Sequence, residues 1–166
     1  RNLHERKMKA HAWTVTGAGA VLALAVEAAA FLGLFLVNPV FAFAAIVLAE
    51  VSAKLAMVTI VWIGKPSHKG LGSIFLAKAK KNLNAAAYVL SALIVYAVFY
   101  FTDYPLLGLV AVALVFVSVP VALVMNKVSN GVFGGVSGDM IGATNEVARM
   151  VTLILFAAVL MLGVAA

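Results

Sequence analysis

Glu27, Glu50 and Lys54 of this 166-residue chain fall inside hydrophobic sequence, where a charge needs a partner or a task. Glu27 and Glu50 each lie 11 residues from the pair Asn38-Pro39, one on either side of it. At a rise of about 1.5 Å per residue, both carboxyls sit roughly 16 Å along helices that meet at that turn, so they face each other at one level. Lys54 follows Glu50 by one helical turn and shares its face, the spacing of an intrahelical ion pair. A charge held in hydrocarbon costs about 3 kcal/mol or more, so such residues are paired or functional. Two uses fit: a structural Glu50–Lys54 pair beside a neutral Glu27, or a midplane relay in a small transporter or permease subunit.

A second constellation precedes the last hydrophobic run, in Gly131-Val-Phe-Gly134-Gly135-Val-Ser137-Gly138-Asp139-Met-Ile-Gly142-Ala-Thr-Asn145-Glu146. If a helix starts near Gly135, then Gly135, Asp139, Gly142 and Glu146 form one stripe in which carboxylates alternate with glycines. Glycine admits close approach, and hard carboxylate oxygens there suit Mg²⁺ carrying a phosphate or diphosphate. The structural alternative is Gly138-x-x-x-Gly142 helix packing with Glu146 paired to Arg149. A third segment, Gly64-Lys-Pro-Ser-His68-Lys69-Gly70-Leu-Gly72-Ser-Ile-Phe75, reads as a flexible turn. Its cations and free backbone N–H groups would suit an anionic phosphate ligand.

The elements that must position these groups follow from composition. The chain is 65% hydrophobic and 11% charged, with a mean hydropathy of +1.13. A water-soluble domain of this size cannot cover so much apolar surface, which makes a lipid bilayer the solvent. Apolar runs long enough to cross about 30 Å of hydrocarbon are Trp13 to Val37, Val40 to Ile63, Asn84 to Phe101, Leu106 to Met125 and Val147 to Val164. The expected fold is therefore all-α, one polytopic bundle of about five transmembrane helices occupying residues 1–166 as a single membrane domain. Asn38-Pro39 and Thr102 to Pro105 leave room only for tight turns. The basic stretch Arg1 to Lys9 runs into a segment of spanning length, unlike the short core of a cleaved signal peptide.

Charge placement tests the alternation of spans. The N-terminus and the connections Gly64 to Leu83 and Asn126 to Glu146 share one face. They hold Arg1, Arg6, Lys7, Lys9, Lys65, Lys69, Lys78, Lys80, Lys81 and Lys127, with Lys54 and Arg149 inside spans toward that end. The other face carries Asp103 alone. Such asymmetry marks the basic face as cytoplasmic in a cell membrane. It also accounts for the net charge of +6 without nucleic acid as a partner. The absence of Cys excludes disulfides, thiolate metal sites and Cys nucleophiles.

These residues carry a resemblance. Gly134 to Ala143 followed by Glu146 is similar to the C-terminal signature of cobalamin synthase, adenosylcobinamide-GDP ribazoletransferase. Glu50-Val-Ser-Ala-Lys54-Leu55 and His68-Lys-Gly-Leu-Gly-Ser-Ile-Phe75 resemble the middle of that family, especially its archaeal members. The likeness extends over most of the chain from about Glu5 onward. It implies a Mg²⁺-dependent transfer of cobalamin (vitamin B12) biosynthesis, in which α-ribazole or its 5′-phosphate attacks adenosylcobinamide-GDP and GMP is released. In that reading Glu50, Lys54 and His68 act on the reacting groups. Lys69, Gly70, Gly72, Gly134, Gly135, Ser137, Gly138, Gly142 and Asn145 line the substrates, and Asp139 and Glu146 hold the Mg²⁺. Such chemistry needs positioned metal and cations more than a special nucleophile. A homo-oligomer is compatible with all of this.

One departure stands out. The family's N-terminal half carries an Asp-rich segment of the form DGxxDxxDG, expected to be a principal metal site, and nothing in this chain matches it. Together with the start at Arg1 rather than Met, this leads to the expectation that the chain is the C-terminal portion of a longer synthase and inactive alone.

Overall fold

Asn38 ends one helix and caps the next. Its side-chain oxygen accepts from the Val40 N–H at 2.9 Å, and Pro39, which has no N–H to lose, opens the new helix. In the computed structural model, residues 3–79 and 81–163 are described; the side chains of residues 3–18, 20, 71, 81 and 82 are not. The expected placement of Arg1 and Lys80, and of the Arg6, Lys7, Lys9 and Lys81 side chains, lies outside the described residues.

The described elements are all helical: α1 (Leu3–Val37), α2 (Pro39–Ile63), α3 (Leu71–Lys78), α4 (Lys81–Phe101), α5 (Pro105–Val115), α6 (Ser118–Phe133) and α7 (Gly138–Met161). Among the described residues, four segments are long and apolar enough to cross a membrane: α2, Leu83–Phe101 of α4, Pro105–Phe133 formed by α5 and α6 together, and α7. In α1 the described side chains add the apolar run Val21–Val37, the continuation of the run that starts at Trp13 in the sequence. The chain is thus a multi-pass membrane protein. At the turn between α4 and α5 Asp103 takes a left-handed conformation, φ 65°, and Pro105 starts the next helix.

The helix α2 lies at the centre, packed against α1, α4, α5, α6 and α7. Its sequence explains this. Ala42, Ala45, Ala49, Ala53 and Ala56 recur every three or four residues and are fully buried, a small-residue face that lets neighbouring backbones approach. Against α7 the contact is partly polar: Ser52 Oγ and Thr152 Oγ1 are 2.7 Å apart in the buried interface. Leu48, Leu55, Val95, Phe99, Val115 and Phe156 fill the main core around it.

Two sequence-based boundaries are corrected. The connection expected from Asn126 to Glu146 contracts to Gly134–Ser137, because α6 continues to Phe133 and α7 begins at Gly138. Hydropathy marks what must lie in hydrocarbon, whereas helices extend beyond it wherever caps are available. Ser137 supplies one here, accepting from the Met140 N–H at 3.3 Å. The expected Gly64–Leu83 loop likewise contains the short helix α3.

Candidate functional site

Moving the start of α7 back to Gly138 carries Glu146 and Arg149 into the bundle. Glu146 lies about 12 Å of rise beyond Gly138. Arg149 stands near the middle of α7, and Glu50 near the middle of antiparallel α2. Five side chains there close a ring. Arg149 Nε is 2.6 Å from Glu50 Oε1, an ion pair rather than an aligned hydrogen bond, and Arg149 Nη1 donates to Glu146 Oε2. Asn145 Nδ2 donates to Glu146 Oε1 at 2.9 Å, and Lys54 Nζ donates to Asn145 Oδ1 at 3.0 Å. The ring closes through Lys54 Nζ and Glu50 Oε2, 3.8 Å apart. Both ends of the Asn145 amide are used, which fixes its orientation.

The predicted Glu50–Lys54 pair is present. So is the Glu146–Arg149 pair, the structural alternative to a metal site on the glycine–carboxylate stripe. Glu27 lies within electrostatic reach of Arg149, Glu146 and Glu50 across the α1–α7 packing, and its Oε1 is buried without a hydrogen-bond partner. Exposure separates the two cations: the Arg149 side chain is 19% exposed, that of Lys54 61%. Arg149 is an internal counter-ion, whereas the Lys54 ammonium reaches an open face. Sequence reading gave Arg149 no site role. Its signal was a guanidinium at i+3 from Glu146, and the second partner, Glu50, lies on another helix.

The glycine motifs meet at the end of the bundle where α2 stops and α7 starts. Val136 N–H donates to Lys65 O at 2.6 Å and Ser67 N–H to Val136 O at 3.2 Å, a single parallel bridge between the two loops. Gly135 stands at φ 155°, and a Cβ there would lie 2.7 Å from both Lys65 O and Ser67 N. A Cβ on Gly72 would lie 2.8 Å from Gly138 N. Gly72 and Gly135 therefore allow the close contact between these segments, which a Cβ at either would obstruct. The segment expected to be a flexible turn is pinned from Lys65 to Ser67. Gly134 ends α6 in the left-handed conformation, φ 69°.

Gly135 is also corrected out of the proposed stripe, because it precedes α7. Asp139, Gly142 and Glu146 remain on it. A Cβ at Gly138 or Gly142 would meet no described atom within 4 Å, so the side-chain direction of both is open, although the backbone of Gly138 lies against Gly72. Asp139 is exposed on the first turn of α7 and forms no ion pair among the described residues. It is not brought to Glu146, which lies two turns on with both oxygens engaged by Arg149 and Asn145. No three His, Asp or Glu side chains converge on one point among the described residues. What fits Mg²⁺ is the lone carboxylate of Asp139, since this ion commonly takes one or two protein carboxylates and completes its shell with water and phosphate.

His68 is exposed in the pinned loop, its Nδ1 2.8 Å from Ser67 Oγ, with exposed Lys69 and Gly70 beside it. These residues line the end of the bundle, whereas Lys54 stands nine residues inside α2, about 13 Å of rise from Ile63. The site thus has two levels, His68, Lys69 and Asp139 at the boundary and the Lys54–Asn145–Glu146–Arg149–Glu50 ring deeper in. An apolar groove between α1 and α7, lined by Ala29, Gly33, Leu34 and Leu160 among others, has no polar side chain to contribute.

Fold and site together define a polytopic helical membrane protein with a charged, hydrogen-bonded ring between two central helices and a glycine-pinned pair of loops at one end. The chain belongs to the family described as cobalamin-5-phosphate synthase, whose model matches residues 4–157. Among similar proteins, adenosylcobinamide-GDP ribazoletransferase of Methanocella arvoryzae is 36% identical over 166 residues, 94% of this chain and 62% of the relative. The protein of the same name from Methanosarcina barkeri is 34% identical over 87% of this chain and 51% of its own length, and that of Thermococcus onnurineus 32% over 92% and 61%. The chain thus spans about half to three fifths of these relatives. No solved structure matches it. The family match favours the transferase reading over the relay of Glu27, Glu50 and Lys54.

Proposed function

We propose that this chain forms part of a membrane-bound transferase that joins adenosylcobinamide-GDP to α-ribazole or α-ribazole 5′-phosphate. A ribose hydroxyl attacks the phosphorus attached to cobinamide, the new P–O bond replaces the diphosphate bridge, GMP leaves, and the hydroxyl proton is lost. The observation that carries the reading is Lys54. Its ammonium is held by Glu50 and Asn145 on a side chain that is 61% exposed, in a segment that resembles a family whose named relatives handle a nucleoside diphosphate ester.

A diphosphate at Lys54 would gain a cation already desolvated on one side, and Lys69 and His68 would meet the polar end of the same ligand. The open faces of Gly138 and Gly142 leave room for a bulky substrate beside α7. Asp139 would be the residue to hold Mg²⁺, an ion whose chemistry would be to offset negative charge on a phosphate leaving group. Clustering of Lys65, Lys69, Lys78 and Lys127 toward one end supports a cytoplasmic opening in the cell membrane.

The test is release of GMP by a chimera in which the unmatched part of the Methanocella arvoryzae relative is fused to this chain. Mg²⁺-dependent release that is lost in Lys54→Met supports the proposal. Release unaffected by Lys54→Met and by Asp139→Asn sinks it.

A further inference from the structure

The short helix α3 has two faces that serve different neighbours. One is inside: Gly72 is buried against Gly138 and Ser137 at the start of α7, and Leu76 packs on the cluster of Ile60, Ala122, Val136, Met140 and Ile141. This fixes how the helix is turned. The other face holds Ile74 and Phe75, 50% and 62% exposed, with Lys78 on the next turn. Large apolar side chains left open on a helix docked this firmly call for an apolar neighbour.

The position of α3 says which neighbour. It follows the spanning helix α2, ends five residues before Leu83, where the described spanning window Leu83–Phe101 starts, and lies at the end of the bundle where α7 begins. That is the boundary between hydrocarbon and water. Trp62 and Ile63, in the last turn of α2, are also partly exposed, and Trp is the residue that favours this level. Around α3 the exposed cations Lys65, Lys69 and Lys78 make no ion pair among the described residues, and the carboxylate described at that end is Asp139 alone. Apolar side chains flanked by unpaired lysines at the membrane boundary match a phospholipid interface, with the apolar groups among the acyl chains and the ammonium groups among anionic headgroups.

We infer that α3 is an interfacial anchor, binding the anionic phospholipid surface through Ile74 and Phe75 below and Lys65, Lys69 and Lys78 above. Because the opposite face of α3 grips the N-terminus of α7, the anchor ties the depth of Asp139 and of the His68 loop to the lipid surface. The inference does not rest on the proposed activity.

The chain has no Cys, so a spin label can be placed at a single introduced thiol. Phe75→Cys and Ile74→Cys, labelled and reconstituted in phosphatidylcholine–phosphatidylglycerol vesicles, are compared with Leu93→Cys on the exposed face of α4 as a lipid-facing reference and Lys69→Cys as a headgroup reference. The anchor requires that oxygen, which partitions into lipid, relax labels 74 and 75 more than a water-soluble nickel chelate does, with the order reversed at 69. Dominant relaxation by nickel at 74 and 75 would put that face in water. Protection from both agents would mean that protein, such as a second copy, covers it, and either result overturns the inference. Removing phosphatidylglycerol should shift label 75 toward the nickel-accessible side. That shift should vanish in the Lys65→Gln, Lys69→Gln, Lys78→Gln variant, and an undiminished shift would remove the lysines from the anchor.

Discussion

Arg149 of α7 and Glu50 of α2 meet near the midpoints of their helices, with Nε and Oε1 2.6 Å apart and Glu146 bound to the same guanidinium. The pair joins the two most extensively packed helices, with the Arg149 side chain 19% exposed. Its weight in stability is asymmetric. Losing one partner strands the other's charge, whereas losing all charges together leaves nothing stranded. Because the Glu50 and Glu146 side chains are each 44% exposed, water can take over part of their charge, and Arg149→Met is expected to destabilise the detergent-solubilised chain by about 1–3 kcal/mol. Glu50→Gln and Glu146→Gln added to Arg149→Met should recover much of that loss. Thermal unfolding of the single and triple variants checks it; a triple variant no more stable than the single one would mean that the charges are not the cause.

The loop contact allows a sharper comparison between two glycines. Gly135 combines φ 155° with backbone atoms 2.7 Å from where a Cβ would go, while a Cβ on Gly142 would meet nothing within 4 Å. Gly135→Ala is expected to cost at least about 1–3 kcal/mol, the range for a non-glycine residue in a sparsely populated backbone region, and to release the Lys65–Val136 bridge. Gly142→Ala should leave stability unchanged or slightly raise it, since Ala is the better helix former. Melting temperature and protease cleavage between residues 64 and 70 report both effects.

The parts of the site legible in sequence were those defined by spacing along one helix. Glu50–Lys54 at i, i+4 and Glu146–Arg149 at i, i+3 needed only helical geometry, and both are present. The contacts that unite them, Arg149 to Glu50 and Lys54 to Asn145, join residues about ninety or more positions apart. They depend on the register of α2 against α7, which hydrophobicity does not specify because both helices are apolar around most of their circumference. The alternation of spans was readable from lysine placement. The start of α7 was legible only through the glycine–carboxylate stripe, which assumed a helix from near Gly135, three residues early; hydropathy alone reads Gly134 to Glu146 as a connection, yet Ser137 caps a helix within it. The glycines of the two motifs were visible as a group. That Gly72 and Gly135 are needed by each other's loops, while Gly138 and Gly142 stand open, required coordinates.

Lys54 and Asn145 provide a test of whether the ring steers the exposed ammonium. Asn145→Ala removes the acceptor at 3.0 Å and also a donor to Glu146. If Asn145 acts by aiming Lys54, the two changes are not additive: in the chimera, Asn145→Ala lowers kcat/KM for GMP release by about tenfold, roughly 1.4 kcal/mol, when Lys54 is present and has little further effect in Lys54→Met. Independent, additive losses would separate Asn145 from Lys54.

The acidic residues of α7 divide by the company they keep. Glu146 has one oxygen on Arg149 and the other on Asn145, so its charge is already compensated, whereas Asp139 is exposed and unpaired among the described residues. A hard divalent ion gains most from a carboxylate that has no competing cation. With the chimera as enzyme, Asp139→Asn is expected to raise the Mg²⁺ concentration for half-maximal GMP release by about tenfold, a loss of roughly 1.4 kcal/mol in metal binding. Glu146→Gln should leave that concentration unchanged while lowering the melting temperature, because its loss falls on Arg149. Titrating Mg²⁺ against both variants distinguishes the roles: a Mg²⁺ requirement shifted by Glu146→Gln and not by Asp139→Asn would move the metal from the boundary into the ring.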